Sequence, residues 1–342
     1  MAATVLGIDG DRVEPWFVEH VEGAIAPLRF ELLAGGHSNL TYAVTGDDGT
    51  RFVLRRPPTG PLLASAHDMG REHRIIAAVG PTDVPVPAAL ALCDDVEVND
   101  APFYVMAFVE GHVLHDDVTT AAVVPEADRP ALAWSLIDVL ADLHGLDPDD
   151  AGLGDLGKKA DYIPRQLRRW SRQWEQSKTR ELPVMDRVHT FLESRIPEQI
   201  GASIVHGDYR FGNCLSADGR IAAVLDWELC TLGDPMADVG YLMNNWMQPG
   251  ESAMGREAPP TAAGGFPDRD ALISRYADRT GRDVSMVEYY RAFSYWRLAA
   301  IVEGVLARYL AGQMGGHDDP SVFRVQVDSL AEAAAEAIDR LG

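Results

Sequence analysis

The stretch His206-Gly-Asp208-Tyr-Arg-Phe-Gly-Asn213, followed thirteen residues later by Leu225-Asp226-Trp227, decides the reading of this chain. Short apolar runs, Ser203 to Val205 and Ile221 to Leu225, flank the polar loop and read as strands. Asp208 and Asn213 therefore sit at the two ends of one tight loop, and a hairpin returns a second carboxylate, Asp226. Transfer of a phosphoryl group from a triphosphate needs one carboxylate to orient and deprotonate the attacking hydroxyl. It also needs hard oxygen ligands to hold magnesium on the phosphates. A loop with Asp, then Asn five residues on, then Asp after an apolar strand supplies both.

Outward from this loop the sequence alters in character. Phe30 to Val44 reads as two strands around a Gly35-Gly36 turn, and Gly46-Asp-Asp-Gly49 turns into a third strand, Arg51 to Arg55. Pro57, Pro58 and Pro61 end that strand. A helix is expected over Ala66 to Val79, with Met69, His73, Ile76 and Ala77 near helical spacing, and a further strand over Pro102 to Val109. Beyond residue 110 helices dominate: Arg129 to His144 with Gly145 as its stop, Leu182 to Ile196, and Val284 to Leu310. The Gly-, Pro- and Ala-rich stretch 248–267 reads as a mobile loop. These signals predict an α+β protein with a small antiparallel-sheet lobe, residues 1–110, and a larger, mainly helical lobe, residues 111–342.

Composition narrows the function. Thirty basic residues against 52 acidic ones give a formal net charge of −22, which repels a nucleic-acid backbone or an anionic membrane surface. Cys93, Cys214 and Cys230 form no CxxC pair, so neither a disulfide framework nor a thiolate metal site is expected. The N-terminus shows no basic region followed by an apolar core, and no apolar run approaches a membrane span, so a cytoplasmic enzyme is expected.

The loop His206 to Asn213, the later Asp226 and the segment Gly233-Asp-Pro-Met-Ala-Asp238 together resemble the aminoglycoside phosphotransferase-like kinases, whose HGDxxxxN loop replaces the HRD loop of protein kinases. The resemblance implies a protein-kinase-like two-lobed fold and an ATP- or GTP-dependent phosphotransferase with an alcohol group as acceptor. Asp208 would be the base, and Asn213 and Asp226 the magnesium ligands. It implies a phosphate-covering turn at Gly35-Gly-His-Ser38-Asn39, with Ser38 among its contacts. Val53 and Arg55 share one side of their strand, so if Val53 covers adenine, Arg55 reaches the phosphates, while Arg56 points away. Most such kinases carry lysine where Arg55 stands. Glu72 would pair with Arg55. Met106 would line the back of the adenine pocket, and backbone C=O and N–H groups of Ala107 and Val109 would contact the base. His206 and Asp238 belong to the supporting shell.

The acceptor is addressed by Lys158 to Arg180, with eight basic residues against two acidic ones. Arg165, Arg168, Arg169 and Arg172 fall on one face of a helix, beside the i,i+4 pair Trp170 and Trp174. Such a face suits an anionic ligand with a flat or apolar part better than a polycationic aminoglycoside. The segment is also similar to kinase domains found with acyl-CoA dehydrogenases, which implies a hydroxyacyl-CoA acceptor held by residues such as Arg165, Arg169 and Trp170. An aminoglycoside or other small-metabolite kinase, and a noncatalytic nucleotide-binding module, are the alternatives. A protein kinase is less expected, because Asp226-Trp227-Glu228 stands where Asp-Phe-Gly would.

Overall fold

In the computed structural model, residues 5–34, 39–59, 67–253, 257–312 and 319–342 are described. The protein forms two compact units, residues 1–111 with 222–228, and residues 112–221 with 229–342. In the first unit the elements are α1 (Gly10–His20), β1 (Arg29–Ala34), β2 (Leu40–Thr45), β3 (Arg51–Arg56), α2 (Met69–Val79), β4 (Ala89–Cys93), α3 (Val96–Asn99) and β5 (Phe103–Ala107). The strands pair antiparallel in the order β1-β2-β3-β5-β4.

Period two along β3 assigns its residues to two faces. Phe52 and Leu54, with Phe103 and Val105 of β5, pack into a core with Val13 and Phe17 of α1. Arg56 lies on this side, where its guanidinium bonds the carbonyls of Gly7, Pro57 and Asn99. Val53 and Arg55 lie on the opposite side and stand directly across from Met106 and Tyr104. That face receives α2.

Helix α2 starts where the Asp68 carboxylate accepts the Arg71 N–H. Its buried stripe is Met69, Glu72, Ile75, Ile76 and Val79. The expected stripe through His73 and Ala77 is therefore turned: Ala77 is exposed and His73 half-buried, because the charged Glu72 takes an inward position.

The second unit contains β6 (His112–Val113), α4 (Asp117–Val123), α5 (Arg129–Gly145), α6 (Tyr162–Ser177), α7 (Pro183–Ser194), β7 (Ser203–Val205), β8 (Cys214–Ala217), the start of β9 (Arg220–Val224), β10 (Thr231–Gly233), α8 (Met236–Asn244), α9 (Arg269–Thr280), α10 (Val287–Leu310) and α11 (Pro320–Arg340). β7 pairs with β10 and β6 with β8, both antiparallel. α5 is less amphipathic than its sequence suggests, because Arg129, Ala133, Ile137, Ala141 and His144 are buried along with its leucines. The expected mobile loop is pinned in its described part. Trp246 Nε1 donates to the Pro267 carbonyl, Met247 N–H to Thr261 Oγ1, and Arg129 to the carbonyls of Ala263 and Gly264. Its Pro260–Ala263 turn is a 3₁₀ helix. Among the described residues no helix is long and apolar enough to cross a membrane.

α10 is the central helix of this unit, with 16 of its residues buried. α8 approaches it closely at Gly240, where an added Cβ would stand 2.6 Å from the Tyr290 backbone carbonyl carbon. Backbone cannot step aside as a side-chain tip can. Gly240→Ala is expected to destabilise this unit by about 1–3 kcal/mol through overpacking. A lowered urea midpoint would register it; an unchanged midpoint would mean that the two helices part at no cost.

Candidate active site

Each end of the loop His206 to Asn213 is fixed by a hydrogen bond that its spacing allows. Asn213 Nδ2 donates to the Asp208 carbonyl at 2.8 Å and to Asp208 Oδ2 at 2.7 Å. The amide hydrogens are thus both spent on Asp208, and Asn213 Oδ1 faces elsewhere as an acceptor. Arg210 Nε lies 3.4 Å from Asp208 Oδ1. Burial, and then the nearby Asp208 carboxylate, raise the pKa of the Tyr241 hydroxyl.

The loop enters through Gly207, whose φ of +86° places it in the left-handed region. A Cβ there would come within 2.8 Å of the Leu229 carbonyl, so glycine is required twice over. Beneath it, Asp238 Oδ2 accepts the His206 N–H at 2.6 Å and Oδ1 the Gly207 N–H at 2.8 Å. Burial alone would raise the Asp238 carboxyl, but His144, His206 and the Gly207 N–H hold it below its ordinary value. His144 is pushed down by burial. In its neutral form Nε2–H faces Asp238 at 3.3 Å and Nδ1 accepts from the Tyr276 hydroxyl at 2.8 Å. His144 thus braces Asp238, and Asp238 in turn holds the backbone N–H groups of His206 and Gly207. Arg297 of α10 adds a bond from Nη2 to the Gly207 carbonyl at 2.9 Å.

The first unit holds the other charged cluster. Arg55 Nε donates to Glu72 Oε2 at 2.9 Å, and its Nη2 donates to Asp226 Oδ1 at 2.6 Å. Glu72 also accepts from Asn39 Nδ2 at 2.8 Å and from the Tyr104 hydroxyl at 3.2 Å. Burial pushes the Glu72 carboxyl up, and the Arg55 guanidinium and Tyr104 hydroxyl oppose it. Arg55 itself is raised, its carboxylate neighbours outweighing burial. Asp226 has φ of +61°, a left-handed conformation that a non-glycine residue adopts at some cost and that recurs at functional sites.

Met106 is buried on β5 opposite Val53. The Ala107 N–H is not available to a base, since it donates to the Ala88 carbonyl at 2.9 Å. The acceptor is the residue just before β4, a strand that the sequence reading did not identify. The Val109 backbone makes no hydrogen bond among the described residues. Ser38 lies outside the described residues.

The basic segment contains the helix α6. Arg168, Arg169 and Arg172 are exposed, while Trp174 is in the core and Trp170 is half-buried. The Arg169 guanidinium lies 4.9 Å from the Trp170 ring centre, and Trp170 Nε1 donates to Gln166. Arg165 is half-buried and donates to the Lys158 carbonyl. None of Arg165, Arg169 and Trp170 bonds Asp208 or Asn213 among the described residues. Arg210, which pairs with Asp208, instead walls a cavity of about 270 Å³ together with Tyr241 and the aromatic side chains of Phe211, Trp246 and Tyr295. Of the carboxylates that line it, Glu251 and Glu257, the first forms a two-pronged pair with Arg269, at 2.6 and 2.5 Å. The signal for this cavity was faint: aromatic residues and an arginine on elements far apart in the sequence.

Comparison with known proteins identifies the family. Residues 29–273 match the phosphotransferase enzyme family. The chain is 35% identical over 93% of its length to mouse acyl-CoA dehydrogenase family member 10, and 33% identical over 96% to chicken acyl-CoA dehydrogenase family member 11. It spans only 29% and 42% of those two proteins. A crystal structure from Ralstonia eutropha JMP134, of a protein named after the aminoglycoside phosphotransferases, is 35% identical, with a TM-score of 0.83 over 97% of this chain and 98% of that one. Aminoglycoside phosphotransferase APH(4)-Ia, in a ternary complex with AMP-PNP and hygromycin B, shares the fold at 18% identity, with a TM-score of 0.60 over 94% of this chain and 98% of that one. The fold is thus the protein-kinase-like α+β fold, and the chain belongs to the phosphotransferase enzyme family.

Proposed function

We propose that this enzyme is a small-molecule kinase that transfers the γ-phosphoryl group of ATP or GTP to an alcohol, with Asp208 as general base and Asn213 and Asp226 as magnesium ligands. The observation that carries the reading is the pair of hydrogen bonds that the Asn213 amide donates to Asp208. It sets a carboxylate beside an amide oxygen that is left over for a cation, which is the pairing that in-line phosphoryl transfer uses.

The residues fit magnesium. Among the described residues no three His, Cys, Asp or Glu side chains form a metal-ligand cluster, as a self-sufficient protein site would need. Magnesium is instead served by one or two protein oxygens together with phosphates and water. Asn213 Oδ1 and the Asp226 carboxylate supply such oxygens, one neutral and one anionic. When bound, the ion neutralises charge on the transferring group. Asp208 would orient the acceptor hydroxyl and take its proton, while Arg210 and Asn213 hold the Asp208 carboxylate in place. On the nucleotide side, Arg55 is proposed to reach the phosphates with Glu72 as its anchor. Met106 would line the adenine pocket, and the Ala107 carbonyl and Val109 N–H would meet the base.

For the acceptor, a hydroxyacyl-CoA is supported by two features. The exposed arginines of α6, with Arg169 against Trp170, suit phosphates and a flat ring. The cavity walled by Arg210 is aromatic, and it sets Arg210 and Arg269 against Glu251 and Glu257, so it offers a polycation no excess of negative charge. A panel of hydroxyacyl-CoA thioesters and aminoglycosides is expected to give ATP turnover only with the thioesters. Turnover confined to the aminoglycosides would reject the acceptor class and leave the kinase chemistry standing.

A further inference from the structure

Arg55 divides its guanidinium between two carboxylates in unlike surroundings. Glu72, at the closed end, has a side chain only 2% exposed and is held by Asn39 and Tyr104 as well. Asp226, at the open end, has a side chain 29% exposed, and Arg55 is its ion-pair partner. A third donor, Nη1, reaches Thr41 Oγ1 at 3.3 Å, so the planar fork is fixed on three sides. A lysine ammonium, a point charge on a flexible stem, would not hold both carboxylates with this geometry.

We propose that Arg55 makes divalent-metal binding at Asp226 conditional on nucleotide, by occupying this carboxylate until phosphate draws the guanidinium away. The inference rests on the reading of Asp226 as a metal ligand and of a nucleoside triphosphate as donor. Its physical basis is competition. A carboxylate that accepts a charge-assisted bond at 2.6 Å has part of its charge satisfied, and a dication brought beside it also meets the repulsion of the guanidinium. The other charged groups that face the pair do not remove this repulsion. Glu72 is already shared with Arg55, Asn39 and Tyr104, Glu228 acts on Arg55 from the same short segment as Asp226, and the pKa of His67 is pushed down by burial and by Arg55 against the pull of Asp226. Phosphate oxygens, being anionic, bind guanidinium and metal at once and turn competition into mutual support. By linkage, nucleotide and metal then raise each other's affinity by the same factor.

The test reads binding without turnover. Manganese affinity would be measured by electron paramagnetic resonance in the absence of nucleotide, and Mg·ADP affinity by calorimetry, for the wild type, Arg55→Lys and Arg55→Gln. Both variants are expected to bind manganese alone about tenfold or more tightly than the wild type, the scale on which a neighbouring cation alters a carboxylate's affinity for another. Both are expected to bind Mg·ADP more weakly. A merely structural role for Arg55 would weaken both, so the opposite signs carry the proposal. Arg55→Lys keeps a cation beside Glu72 and serves if Arg55→Gln does not fold. Adding Asp226→Asn to either variant is expected to abolish the gain. Manganese affinity unchanged or weakened in both variants, with the wild type still binding Mg·ADP, would overturn the conditional role alone. A wild type that bound no Mg·ADP would overturn the nucleotide reading with it.

Discussion

Asp208→Ala is expected to lower turnover by about two to four orders of magnitude while leaving Mg·nucleotide affinity within about threefold, the range for loss of a positioned general base. The loop should survive the change, because its backbone is not held by the Asp208 carboxylate. Asp238 fixes the N–H groups of His206 and Gly207, Arg297 holds the Gly207 carbonyl, and Asn213 keeps its bond to the backbone carbonyl of residue 208. Asn213 loses only its second bond, the one to Oδ2. Asp208→Asn, which preserves shape but not basicity, should fall into the same range. Steady-state kinetics with calorimetric nucleotide binding measures both quantities, and undiminished turnover in either variant would remove Asp208 from the role of base.

Asp238→Ala should be the more damaging change for folding. The carboxylate is fully buried, accepts two backbone N–H groups and faces the His144 ring. Its removal strands two buried donors and a histidine that hydrogen-bonds on its other side to Tyr276. Breaking a buried charged network in this way costs about 3–5 kcal/mol. Because the stranded donors belong to the catalytic loop itself, activity should fall even where the protein still folds. Urea denaturation followed by tryptophan fluorescence should show a clear drop in midpoint. A near-wild-type midpoint would mean that the loop is held by the Arg297 bond and its own Asn213 contacts.

What could be read from the sequence was what short spacing or strand alternation determines. Five residues from Asp208 to Asn213 close one loop, and period two in β3 separates Arg55 from Arg56, so their opposite environments follow directly. The inward turn of α2 did not follow from its apolar residues, because Glu72 is buried by virtue of partners 17, 32 and 33 residues away. A hydrophobicity pattern treats such a residue as surface. α1 escaped notice because Pro15 lies within it, and β4 because its burial alternates around two exposed leucines, Leu90 and Leu92. The stretch 248–267 looked unstructured by composition, yet its described residues are tied by hydrogen bonds to Trp246, Met247 and Arg129, none of which signals itself locally. The cavity walled by Arg210, Trp246 and Tyr295 was out of reach for the same reason, its walls coming from segments far apart in the sequence.

The most direct measurement is ³¹P nuclear magnetic resonance of Mg·ATP incubated with the enzyme and hydroxyacyl-CoA acceptors. The γ-phosphorus signal is expected to decay into a phosphate monoester on the acceptor, and Asp208→Ala to slow this conversion by about two to four orders of magnitude. Monoester formation at the same rate by both proteins, or inorganic phosphate as the sole product, would contradict it.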